Sequence, residues 1–72
     1  AVAPPATNNR DRVRRTEREL AVLHKQQAGL ETELASAGDD HVALARIGTD
    51  LATVADAIAR AEDLWLELTV GD

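Results

Sequence analysis

The sequence predicts an all-α fold: two long helices packed side by side as a two-helix antiparallel coiled-coil hairpin. Three observations carry that expectation. Apolar residues recur at alternating steps of three and four along two separate segments, the spacing that keeps one helical stripe against a partner. Between the segments stands "GDD" at 38–40, a residue suited to ending a helix followed by two suited to starting one. Composition agrees, because Ala is abundant while Phe and Tyr are absent, which favours helix over sheet.

Residues 1–9, "AVAPPATNN", read as a flexible Ala/Pro linker in which Pro4 and Pro5 favour an extended chain. The stretch lacks Met and the charged start and apolar core of a signal peptide. An opening of this kind looks like that of a domain cut from a longer protein.

The hairpin is expected over 10–70, with its first helix over about 9–37. Asn8 or Asn9 is suited to cap that helix, and Asp11 falls in its first turn, where the helix dipole favours a negative charge. Its seam is Val13, Thr16, Leu20, Leu23, Gln27, Leu30, Leu34 and Ala37. The turn takes 38–40: Gly38 can adopt the left-handed conformation that ends a helix, and Asp39 or Asp40 can cap the next. The second helix is expected over about 41–69, with the seam Leu44, Ile47, Leu51, Val54, Ile58, Ala61, Trp65 and Leu68, closed by Gly71. A single continuous helix is the competing arrangement. Carrying the first seam through the break puts His41, Gly48, Ala55 and Glu62 on the core line, which is a poor core. A phase reset at a stop and a start signal means a turn, and a short turn makes the helices antiparallel neighbours, each about 40 Å long.

Folding the hairpin so that facing positions sum to 81 gives eight layers. At the open end Val13 meets Leu68, Thr16 meets Trp65, Leu20 meets Ala61 and Leu23 meets Ile58. Toward the tip Gln27 meets Val54, Leu30 meets Leu51, Leu34 meets Ile47 and Ala37 meets Leu44. Trp65, the one aromatic residue, thus faces small Thr16, which keeps the layer volume even. Small Ala43, Gly48, Ala55 and Ala57 flank the second seam and let the helices approach closely. Each large seam residue contributes roughly 1.5–3 kcal/mol if fully buried. Two helices bury them only in part, so a net stability of about a few kcal/mol is expected. The same register brings Glu33 near Asp50 and Glu17 near Glu62, with Arg46 and Arg14 as the cations placed to relieve them. Gln27 is a polar layer that fixes register.

The net charge of −5 conceals an asymmetry. Residues 1–28 hold six basic against three acidic side chains, and residues 29–72 hold two against ten. The absence of Cys excludes disulfides, thiolate catalysis and zinc–thiolate sites, and favours an intracellular chain. No run approaches the roughly 18 apolar residues of a membrane span. His24 and His41 lie at different heights of the hairpin with no second ligand nearby, so no metal site is expected. Asp39 and Asp40 sit in a turn, where capping accounts for both, and acid–base work would need a cleft that two helices do not form.

Two features remain for function. In "RDRVRRTER", Arg10, Arg14 and Arg18 share one helical face, Arg15 stands beside them, and Arg12 is a turn from Arg15. Five guanidinium groups over three turns can grip phosphates, and no aromatic residue interleaves them to stack on bases. The competing explanation is charge matching against Glu62, Asp63, Glu67 and Asp72 at the same end. Val22, Leu64, Leu66 and Val70 lie off the seam, and Trp65, Leu66 and Val70 gather at the open end as a candidate docking surface. The alternative there is that the linker covers them through Val2 and Pro4.

"ARAEDLWLEL", residues 59–68, resembles the close of the C-terminal, Uup-type domain of ABC-F ATPases, whose second helix ends in acidic residues, a Trp and a Glu-Leu pair. Here these are Glu62, Asp63, Trp65, Glu67 and Leu68. "ERELAVLHKQQAGLETELA", residues 17–35, is similar to the family's first helix, and the Ala/Pro stretch is similar to the linker after its second ATPase domain. The resemblance covers about residues 10–70. The chain departs from it in charge, since many members carry a Lys-rich first helix and this chain is acidic overall.

The resemblance implies a cytoplasmic parent with two ATP-binding cassettes and no membrane domain. Such proteins bind the ribosome near the exit-tRNA site and adjust translation in an ATP-dependent way; Uup-type members are also linked to DNA binding through this hairpin. ATP and Mg belong to the parent. The phosphate-cradling G-x-x-x-x-G-K-[ST] loop is absent here, so this chain is expected to be non-catalytic and without a cofactor. The expectation is a monomeric hairpin that binds or positions. Arg14, Arg15 and Arg18 lead the nucleic-acid contact, with ribosome or RNA the first partner and duplex DNA the second. Trp65, Leu66 and Val70 would dock on the parent's ATPase domains. The alternatives are a self-association or intramolecular docking hairpin with no nucleic-acid contact, and a DNA-binding coiled-coil module.

Overall fold

The computed structural model describes residues 5–70, with side chains from residue 9 onward. Two helices, α1 (Pro5–Ser36) and α2 (His41–Val70), pack along each other as an all-α hairpin. Residues 1–4 of the linker, Gly71 and Asp72 lie outside the described residues.

α1 begins four residues before its expected start near residue 9. The expected linker therefore loses residues 5–9 to the helix. Pro5 is the reason: at the first helical position its fixed φ is already helical, and its missing N–H would have had no partner there. Asn8 and Asn9 consequently lie within the helix and do not cap it, and the first turn holds no acidic residue, so Asp11 falls in the second.

The turn forms where the stop and start signals stand. Ala37 N–H donates to the Leu34 carbonyl at 3.3 Å, Gly38 takes φ +59°, and Asp40 N–H donates to the Ala37 carbonyl at 3.2 Å. Of the two candidate caps, Asp40 is the one used. Its Oδ1 accepts from the N–H groups of Val42 and Ala43, both at 3.1 Å, while its carbonyl accepts the first helical bond from Leu44 at 2.9 Å. Asp40→Ala should therefore lower stability by about 1 kcal/mol, and Asp39→Ala by much less. Urea melts followed by circular dichroism compare the two; equal losses would remove the cap from its role.

Every expected seam residue is buried or half-buried except Leu34, which is 40% exposed. Leu34 sits in the last turn of α1, where the one further layer, Ala37 against Leu44, closes over it only through a small alanine. Ile47 opposite is the most deeply buried side chain, at 1%. Ile58, Ala61, Leu68 and Thr16 complete the buried set. Thr16 donates its hydroxyl to the Arg12 carbonyl at 2.8 Å, so this polar seam residue is satisfied within its own helix. Ala43, Asp50 and Ala57 are half-buried beside the seam at seven-residue spacing, so α2 leans that flank toward α1.

Two side-chain ties fix the register. Arg46 bridges Glu33 of α1 at 2.7 Å and Asp50 of its own helix at 3.1 Å, relieving the like-charge pair. The hydrogen bond to Glu33, then the charges of Glu33 and Asp50, raise the Arg46 pKa above its ordinary value. A raised cationic pKa adds stability below the unfolded value and loses it only above that already alkaline range, so the bridge adds no dependence near neutral pH through Arg46. At the other end, Trp65 Nε1 donates to Glu17 Oε2 at 3.1 Å. Gln27 is half-buried and makes no such tie among the described residues. No helix among the described residues is long and apolar enough to cross a membrane.

Candidate nucleic-acid interface

The open end of the hairpin carries the basic cluster. Arg10, Arg12, Arg14, Arg15 and Arg18 are all exposed, and none forms an ion pair among the described residues. Direct charge matching with Glu62, Asp63 or Glu67 is therefore not formed; Asp72 lies outside the described residues. Eight residues of α-helix separate Arg10 from Arg18, about 12 Å along the axis, which spans two to three phosphates of a single strand.

The five arginines do not share one surface. Arg10 and Arg14 line a single groove with Asn9, Val13, Glu17, Leu68 and Thr69. Its apolar floor comes from the outermost seam layer, Val13 and Leu68, and its rim is charged. Arg18 continues the line of Arg10 and Arg14 by one more turn. Arg12 and Arg15 stand on the opposite flank of α1, each one residue before a seam position, as Arg14 and Glu17 are each one residue after.

Glu17 is the group that sequence reasoning missed. It sits among the arginines, yet its carboxylate accepts the Trp65 indole, and the expected relief of Glu17 and Glu62 by Arg14 is not formed among the described residues. The signal was available, since a half-buried Trp needs an acceptor in the facing layer. Trp65 is thus half-buried and tied to α1, which makes it a clasp of the open end. Of the expected docking group, Leu66 at 50% and Val70 at 76% are the freely exposed members. Val42, 80% exposed beside the tip, is a further bare apolar residue that no periodicity marked. Val2 and Pro4, the expected covering segment, lie outside the described residues.

Glu17→Gln keeps an acceptor for the indole and removes a negative charge from the groove. Anion affinity should rise about twofold to fivefold with helicity unchanged; a fluorescence titration of Trp65 with polyphosphate measures it.

Among the described residues no group of three His, Asp or Glu side chains is arranged to hold a metal, and His24 and His41 are both exposed. Comparison of the chain with protein-family models, curated proteins and solved structures finds no match.

Proposed function

We propose that the hairpin is a non-catalytic binding and positioning module whose basic end contacts nucleic-acid phosphates, with ribosomal RNA the favoured partner. One observation carries it: five exposed guanidinium groups in the first turns of α1, unpaired with the chain's own acids among the described residues, two of them in one groove. Holding unpaired like charges together is unfavourable, and a polyanion relieves it while releasing its own counterions. The resemblance of "ARAEDLWLEL" to the Uup-type close supports the same reading; on it, the parent would be a cytoplasmic ABC-F ATPase that acts on translation with ATP. In that setting the tip, about 30–42 Å from the arginines along α1, reaches a second surface.

A titration of the chain against ribosomes, ribosomal RNA and duplex DNA, at two salt concentrations and read by Trp65 fluorescence, tests it. Binding to ribosomes or RNA that weakens with salt is the expected result. Preference for duplex DNA would transfer the module to the DNA-binding alternative. No binding to any of the three would overturn the phosphate contact. Exposed Leu66 and Val70 favour the second reading in that event, a hairpin that docks on its parent's ATPase domains without touching nucleic acid.

A further inference from the structure

We propose that two copies of this hairpin pair along the flank that carries Val22 and Leu64, related by a two-fold axis running along the hairpin, to form a four-helix bundle with both tips at one end. Two shallow grooves lie in line on that flank. Leu30 and Val54 floor one, beside Gly29 and Thr53. Ala57, Ala61 and Leu64 form the other, edged by Glu19 and Arg60. Val22 stands between them on α1, three residues beyond Glu19 and four before Gln26. Val22 is 56% exposed and Leu64 37%, so the strip is apolar and bare along its middle.

Charge selects the occupant. Glu33 and Arg46, which bond across this flank, show which positions of α1 and α2 stand level. By the same spacing Glu19 stands level with Arg60, Arg12 with Glu67, and Val22 with Ala57. A copy turned about the long axis lays each α1 residue over the level α2 residue of its partner. Arg12 then meets the partner's Glu67, Glu19 meets the partner's Arg60, Val22 meets the partner's Ala57, and Leu64 lies under the aliphatic stem of the partner's Arg15. None of Arg12, Glu19, Arg60 and Glu67 forms an ion pair within one hairpin among the described residues, so all four have charge to offer. A copy turned the other way about Val22 and Ala57 would lose both charge pairs, laying Arg12 level with the partner's Thr32 and Arg60 level with its Val54. With the tips together, every helix has antiparallel neighbours, which also suits their dipoles.

Size agrees. The face is about 45 Å long over the 30 residues of α2 and 14–16 Å wide. That is of the order of the roughly 800 Å² each partner gives to a standard interface. The Arg10–Arg14 groove lies on the other flank and stays open, so pairing and phosphate binding can fail separately.

Sedimentation equilibrium of the 72-residue chain, from roughly 5 µM to 1 mM, tests the pairing. The expected result is a reversible dimer whose association weakens at least about tenfold in Val22→Glu and in Leu64→Arg, the second by setting two cations level with each other, with helicity kept because both side chains are exposed in the single hairpin. Glu19→Arg should weaken it, and adding Arg60→Glu should restore it. The chain has no Cys, so Asp39→Cys takes one pyrene label at the tip, and excimer emission is expected from the dimer. A monomer at every concentration would overturn the proposal. So would a dimer indifferent to both substitutions, or one without excimer emission.

Discussion

Ile47→Ala is expected to cost about 2–5 kcal/mol, enough to unfold most of the chain at room temperature. Ile47 is the most deeply buried side chain, and it lies one turn from the end of the core. Cutting it to Ala removes transfer energy and leaves a hole that two helices cannot easily close. Leu34 faces it across the seam but keeps 40% of its surface exposed, so Leu34→Ala should cost less than half as much. Urea titrations followed by helical circular dichroism give both values. A larger loss at Leu34 would mean that the helices pack on a different line.

Reversing the charge of Arg10, Arg14 and Arg18 together should lower RNA affinity on the order of 100-fold at low salt and reduce the salt slope by about two. These three follow one line up α1, and two of them share a groove. Arg12→Glu with Arg15→Glu should do less, because those two stand on the other flank. The comparison separates a line of phosphate contacts from a diffuse positive end. Equal effects from both variants would remove the line and leave only general charge attraction. Helicity must be unchanged in each, which exposure of all five arginines favours.

Much of the fold was legible in residue spacing. The two seams, the left-handed Gly38, the aspartate cap and the Arg46 relief of Glu33 and Asp50 follow from periodicity and local chemistry. Such signals need only near neighbours. The start of α1 was not legible, because two prolines mark a linker equally well as a helix entry, and here Pro5 opens the helix. The site was less legible than the fold. Sequence could gather five arginines on adjacent turns but could not divide them between flanks, since that depends on which edge of the seam the partner helix covers. Nor could it assign Glu17, whose nearest competing groups were the arginines beside it and the acid facing it. The indole took it because Trp65 carries one donor and Glu17 presents a carboxylate oxygen to it from α1.

The short turn at Gly38 sets the order in which the two helices join. Glu33 and Arg46 are 13 residues apart in the chain, while Glu17 and Trp65 are 48 apart. Closing the longer loop first would cost about 1 kcal/mol more in chain entropy, so assembly starts at the turn and zips outward, on the fast timescale of local contacts. Opening runs in reverse, from the clasp of Trp65. Amide exchange should accordingly quicken from the middle of the hairpin toward residues 10–18 and 60–68. A polyanion on the arginines of α1 alone would leave that gradient as it is. One that also touched α2 would hold the ends shut and flatten it.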